Sequence, residues 1–146
     1  SSYVPSGMDV GATPDGRYAG QPLNEGASPC LGADRSGPTA VLKSVSKLPN
    51  TRMAGGQLLN MKFSPGALAG EDNLNKFVAF LEANRILGNF HIQFNIVDSA
   101  ELRDARLHPE CHQNLMVRVA GYCALFTSLI PEVQDAIIAR TEMQGF

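Results

Sequence analysis

The sequence predicts an α/β fold on three observations. Helical and strand-like apolar periods alternate along the chain from about residue 67 onward. Within that region Phe90 to Val97 alternates strictly, with Phe90, Ile92, Phe94 and Ile96 on one side and His91, Gln93, Asn95 and Val97 on the other. The strands number about four, too few to close a barrel or to cover both faces of a sheet. The chain is therefore expected to complete a larger sheet contributed elsewhere, and to be incomplete on its own.

Residues 1–66 hold ten of the fourteen glycines and seven of the nine prolines, so they read as a turn-rich segment that wraps the rest. Pro5-Ser6-Gly7, Pro14-Asp15-Gly16, Gly20-Gln21-Pro22 and Ser28-Pro29 punctuate it, with sparse apolar residues recurring between the turns. Val41, Leu42, Val45 and Leu48 then mark one face of a short helix, with Pro38 in its first turn and Pro49 closing it. Leu58–Phe63 reads as a strand ended by Ser64-Pro65-Gly66.

Residues 67–146 form the helix and strand segment. Glu71 to Leu87 reads as the clearest helix, with Leu74, Phe77, Val78 and Leu81 on its apolar face and Gly88 as its stop. The strand Phe90–Val97 follows, and its period leaves open whether the polar face meets a cavity or water. Asp98 with Glu101 makes a capping box for a helix through Leu107, which Pro109 ends. Pro131 to Met143 reads as a terminal helix, with Val133, Ala136 and Ile137 on one face and Ile130 a poor cap before it.

Between these helices runs Leu115-Met116-Val117-Arg118-Val119-Ala120-Gly121-Tyr122-Cys123-Ala124-Leu125-Phe126. Gly121 has no Pro, Asn, Asp or second Gly beside it, so it does not read as an ordinary surface turn. Glycine inside an apolar strand weakens packing and marks a bulge or a close approach by another backbone or a ligand. Plain packing is the competing explanation.

Composition excludes several classes. A formal net charge of -2 with scattered Lys and Arg provides no electrostatic footprint for nucleic acid or anionic lipid. No apolar run approaches a membrane span, and no basic segment precedes an apolar one at the N-terminus. Cys30, Cys111 and Cys123 are odd in number and unpaired in spacing, which favours a reducing compartment over a disulfide framework. A soluble cytoplasmic protein is expected. The chain begins at Ser1 and not Met, as a piece cut from or trimmed within a longer polypeptide would.

Local chemistry offers few candidates. Lys43-Ser44 is preceded by Leu42 where a phosphate loop needs glycine, so nucleotide binding is rejected. His108-Pro109-Glu110-Cys111-His112 lacks the second ligand pair of a structural zinc site and reads as a solvated loop. Cys123 has no nearby His to lower its pKa and reads as a small packed residue, while His91 has no orienting carboxylate and reads as structural. No metal or cofactor ligands are assigned.

Four separated blocks extend this reading. The first is Gly11-Ala12-Thr13-Pro14-Asp15-Gly16-Arg17 with Ala19-Gly20, Pro22-Leu23, Gly26 and Ser28-Pro29. The second is Asp34-Arg35-Ser36-Gly37-Pro38-Thr39-Ala40 with Ser44-Val45-Ser46-Lys47-Leu48, and the third His91-Ile92-Gln93-Phe94-Asn95. The last is Val117-Arg118-Val119-Ala120-Gly121-Tyr122, followed by Gln134, Ile137, Ile138, Arg140 and Thr141. In order and spacing, from about residue 7 to 142, the chain resembles the C-terminal glycyl radical domain of the glycyl radical enzymes. That family includes pyruvate formate-lyase, glycerol dehydratase, choline trimethylamine-lyase, hydroxyproline dehydratase, arylacetate decarboxylases and benzylsuccinate synthase. Ala120 and Gly37-Pro38-Thr39 resemble the dehydratase, lyase and decarboxylase branch more than pyruvate formate-lyase, which carries Ser at the position of Ala120.

The resemblance implies that residues 1–146 are the C-terminal part of a ten-stranded α/β barrel, and that Gly121 is the catalytic residue. In the family this glycine loses an α-hydrogen to an activating enzyme that uses S-adenosylmethionine and an iron–sulfur cluster, and the chain itself binds no cofactor. Without a Cβ the α-carbon can flatten, and its unpaired electron is shared between amide nitrogen and carbonyl. The apolar neighbours of Gly121 are expected to exclude water and oxidants. The implied setting is anaerobic and oxygen-sensitive.

Implied partners are the activating enzyme, a small-molecule substrate and a cysteine-bearing remainder on the same or a separate chain; a dimer of the complete enzyme is compatible with this. None of Cys30, Cys111 and Cys123 sits in the motif of the family's thiyl cysteine, so the chain is expected to store a radical without turning over substrate alone. The alternative is a free-standing replacement subunit that restores an oxygen-cleaved relative. Cleavage at Gly121 removes only the last 25 residues or so, far less than the resemblance covers. A relative used only for assembly is a third reading.

Overall fold

The computed structural model describes residues 3–146. In chain order the elements are α1 (Tyr3–Met8), α2 (Pro38–Val45), β1 (Leu58–Phe63), α3 (Glu71–Ile86), β2 (His91–Ile96), α4 (Ser99–Leu107), β3 (Met116–Arg118), β4 (Cys123–Leu125), α5 (Pro131–Ala139) and β5 (Glu142–Met143). They form one parallel sheet, ordered β2-β1-β5, and a separate antiparallel hairpin of β3 and β4. The mixed α/β class is as expected. Closure into a ten-stranded barrel lies beyond these three parallel strands.

β1 is central because β2 pairs along one of its edges and β5 along the other, and it is buried on both faces. Leu59, Met61 and Phe63 point into an apolar core shared with Val41, Leu42 and Val45 of α2 and Phe80 of α3. Phe63 meets Phe77, Phe80, Phe94 and Phe146 with ring centroids 5.0–6.4 Å apart, mostly edge-on. α3 crosses over to bring β2 parallel to β1 in the register Leu58 to His91 through Phe63 to Ile96. The opposite sheet face carries Asn60, Lys62, Gln93 and Asn95, all buried. A buried polar face is costly unless satisfied, and its partners make the site described below.

A second apolar cluster joins Val97, Leu102 and Ala105 around α4 to Val117, Val119, Phe126 and Ile137. Asp98 caps α4 through Ala100 N–H at 2.6 Å, as the capping signal predicts. Pro38 stands in the first turn of α2, and Gly88, at φ 69, follows the end of α3.

Five expectations are corrected. The N-terminal stretch contains a helical turn pair, α1, within the predicted wrapping chain. α3 buries Phe80 and Asn84, whereas Leu74 and Val78 are 51% and 62% exposed, because the aromatic wall around Phe63 draws in Phe77 and Phe80. The terminal helix ends at Ala139, not Met143. There Lys62 Nζ, buried beneath it, donates to the carbonyls of Ile137 (3.4 Å) and Ile138 (2.8 Å), and Arg140 turns extended. The chain then adds Glu142–Met143 to the free edge of β1. Burial pushes the Lys62 ammonium down to about 8, against the attraction of Glu142. The remaining two corrections, the run around Gly121 and Cys123, belong to the site.

The wrapping segment is anchored at Gly26, whose φ is 59. A Cβ there would lie 2.3 Å from the carbonyl oxygen of Leu58, where Ala27 N–H bonds the same oxygen at 2.8 Å. Gly26→Ala is therefore expected to lower stability by about 2 kcal/mol or more, read as a shift in the urea midpoint.

Candidate functional site

The apolar run around Gly121 folds back on itself instead of forming one strand. β3 and β4 pair Met116 with Leu125, Val117 with Ala124 and Arg118 with Cys123. Val119 N–H donates to the Tyr122 carbonyl at 2.9 Å across a tight bend at Ala120 and Gly121, where Gly121 has φ 82. That is the left-handed region which glycine enters without the strain another residue would meet, and one such residue suffices to reverse the chain here. Gly121, Tyr122 and Cys123 are exposed, and nothing lies within 4 Å of a Cβ built on Gly121. Val117 and Val119 of the stem are buried, while the tip stands clear of the rest of this chain.

Side chains, and not a strand ladder, hold the stem to the main sheet. Asn95, buried on β2, accepts from Arg118 N–H at 2.6 Å and donates through Nδ2 to the Arg118 carbonyl at 2.7 Å. Its amide thus replaces one residue of a neighbouring strand. The Arg118 side chain donates to Gln93 Oε1 at 2.8 Å and to Cys123 Sγ at 3.2 Å. Gln93 Nε2 in turn donates to Asn60 Oδ1 on β1. Asn60 N–H donates to Ser28 Oγ at 3.0 Å, which ties the network to the wrapping segment.

Arg140 completes the arrangement from beyond α5. Its guanidinium donates to the carbonyls of Arg118 (3.1 Å) and Val119 (2.5 Å) and to Glu25 Oε1 (2.6 Å). Both ionic side chains are buried, at 7% and 9% exposure, so the pair is protected from screening. Thr141 Oγ1 beside it donates to Asp34. A cavity of about 330 Å³ adjoins this corner, with Asn60 Nδ2 and Arg140 Nε on buried wall residues lacking partners.

Burial pushes the Glu25 carboxyl up from 4.5 to about 7, outweighing the opposing pull of Arg140. A folded form that holds the proton more tightly than the unfolded chain is favoured by acid. Its contribution is fully present below 4.5 and is lost as pH rises through about 7. Stability measured from pH 4.5 to 7 is expected to carry a downward slope that Glu25→Gln removes.

The remaining candidates are dispersed. Cys123, predicted to be packed, is exposed because it lies on the outer strand of the hairpin beside its tip, and Cys30 and Cys111 are exposed as well. His112 Nε2 engages Asp104 of α4 at 2.7 Å, while His108 lies 3.7 Å from Glu110. Among the described residues no three His, Cys, Asp or Glu side chains converge as a metal cradle. His91 is exposed on β2, and Lys43 and Ser44 lie on the outer side of α2. No helix among the described residues is long and apolar enough to cross a membrane. Local reasoning singled out Gly121 but neither Asn95 nor Arg140. The alternating polar face of β2 signalled the former, whereas nothing local linked Arg140 to Glu25, 115 residues away.

A family model described as "Glycine radical" matches residues 23–127. The Escherichia coli protein called probable dehydratase YbiW is 50% identical over 143 residues, covering 97% of this chain and 18% of that protein. Indoleacetate decarboxylase of Tractidigestivibacter scatoligenes is 48% identical over 145 residues, 97% of this chain and 16% of its own length. The glycerol-bound glycerol dehydratase of Clostridium butyricum superposes with a TM-score of 0.94 at 47% identity, over 98% of this chain and 18% of that one. The chain therefore spans less than a fifth of the length of each of these proteins.

Proposed function

Because the chain belongs to the glycyl radical enzyme family, we propose that it stores an organic radical on the α-carbon of Gly121 for a lyase or dehydratase reaction. The observation that carries this reading is the Gly121 turn itself. Gly121 lies at the tip of the hairpin at φ 82, and apart from its chain neighbours nothing of this chain lies within 4 Å of a Cβ built there, so none of these residues blocks a hydrogen-abstracting partner. The stem below is bonded at Arg118 and Val119, so the accessible atom has a defined position.

The chemistry balances as two hydrogen-atom transfers. The activating enzyme, with its S-adenosylmethionine and iron–sulfur cluster, would supply a carbon radical derived from S-adenosylmethionine that takes up one α-hydrogen atom as its own C–H bond, and Gly121 would keep the unpaired electron, shared between amide nitrogen and carbonyl. A cysteine outside this chain then gives its S–H hydrogen to that carbon, restoring glycine and forming the thiyl radical that attacks substrate. Solvent and oxygen must be excluded by the same remainder, since the tip is uncovered here. An α/β barrel completed on the edges of the β2-β1-β5 sheet is the natural source of both. The resulting enzyme acts on a small molecule in an anaerobic cytoplasm.

The dehydratase and decarboxylase relatives support this reading over a replacement subunit, for which no observation speaks. The test is isotopic. A chain made with α-deuterated glycine and activated anaerobically is expected to show its electron paramagnetic resonance doublet collapsed to a single line, because the remaining α-hydrogen causes the splitting. A splitting that survives deuteration would place the radical on another residue.

A further inference from the structure

Resting on the reading of Gly121 as the radical carrier, we propose that Asn95 and Arg140 are positioning residues that set the Gly121 α-carbon by gripping the backbone of the hairpin stem. Among the described residues the hairpin joins no larger sheet, so no continuous ladder fixes its height or tilt against β2. Four bonds substitute for one. Asn95 holds both the N–H and the carbonyl of Arg118, and Arg140 holds the carbonyls of Arg118 and Val119. All are made to backbone atoms within three residues of Gly121. Beyond Val119, among the described residues, the bond from Val119 N–H to the Tyr122 carbonyl is the one backbone hydrogen bond across the tip, so an error at the stem is carried to the tip.

The two grips differ in kind. Asn95 is fixed by strand β2, a rigid element, and its planar amide dictates the direction as well as the distance of the stem. Arg140 is aimed by Glu25, so the wrapping segment and the residue after α5 jointly set its guanidinium. Hydrogen transfer between a carbon and a sulfur is sensitive to displacement of the reacting atoms, and a grip on the stem is where this chain can control it. The grip is made of side-chain bonds, which a substitution removes without dismantling the β1–β2 ladder.

The experiment uses the full chain and two readouts. In Asn95→Ala, amide hydrogen exchange at residues 118–122 is expected to quicken by about tenfold or more while the amides of β1 and β2 keep their protection. The radical still forms with its α-hydrogen splitting intact, because that splitting follows the spin density on the α-carbon and not the position of the hairpin, so the resonance shows that the variant is still activated. Asn95→Asp, which retains the acceptor for Arg118 N–H but not the donor, is expected to restore part of the protection at Arg118. Arg140→Lys, which keeps the charge against Glu25 but not the paired carbonyl bonds, serves as the second variant and is expected to loosen Val119 first. Unchanged exchange at 118–122 in both Asn95→Ala and Arg140→Lys overturns the proposal. If the parent chain takes up no radical, the role of Gly121 fails, and the exchange measurements still decide the grip.

Discussion

Gly121→Ala is expected to abolish the radical signal and leave the chain folded. The structural cost is bounded by two observations. Alanine at φ 82 is strained, at about 1–2 kcal/mol for a left-handed L-residue, yet no atom lies within 4 Å of the added methyl group. The chemical cost has no such bound, because a methyl on the α-carbon crowds the planar centre and the groups that must approach it. Spin counting after anaerobic activation, paired with a urea unfolding curve, separates these effects. Loss of spins with a near-parental midpoint is the expected pair, and spins at the parental level in the alanine variant would remove Gly121 from the mechanism.

The largest expected loss of stability follows Arg140→Ala. This change strips a donor from two stem carbonyls and leaves Glu25, 9% exposed, without its counter-charge. Breaking one side of a buried pair costs about 3–5 kcal/mol, a large share of the 5–15 kcal/mol that holds a typical domain together. Removing both charges, as Glu25→Gln with Arg140→Gln, is expected to cost less than Arg140→Ala, because no lone charge stays buried. Denaturant midpoints of these variants and of Glu25→Gln test this; equal stability of Arg140→Ala and the parent would show that the pair contributes nothing. The magnitude depends on Glu25 remaining ionised; Arg140 lowers the Glu25 value, so its removal raises it above about 7, and the Arg140→Ala effect should shrink as pH falls towards about 7 and level off below it.

Local patterns resolved the elements with strong periods. β1, β2 and α4 lie where alternation, apolar runs and the Asp98 cap place them. α3 occupies its expected span but buries a different face, since Leu74, Phe77, Val78 and Leu81 satisfy the helical period as well as Phe77 and Phe80 do. Only the aromatic cluster on Phe63 chooses between them. The hairpin was hidden for a related reason. A tight bend with a single glycine has no local signature beyond that glycine, and the flanking residues are as apolar as an unbroken strand.

By itself the sequence determined the α/β class, the turn-rich wrapping segment and a family resemblance centred on Gly121, because these follow from residue types at short spacing and from blocks in fixed order. Tertiary structure decided how Gly121 is presented. The polar face of β2 is turned inward by the two-sided burial of the sheet, so Gln93 and Asn95 meet Arg118 and not water. Arg140 reaches the same stem because Lys62 takes the last carbonyls of α5 and the chain leaves the helix there. Such contacts join residues 21 to 115 positions apart, a separation that no helical or strand period encodes.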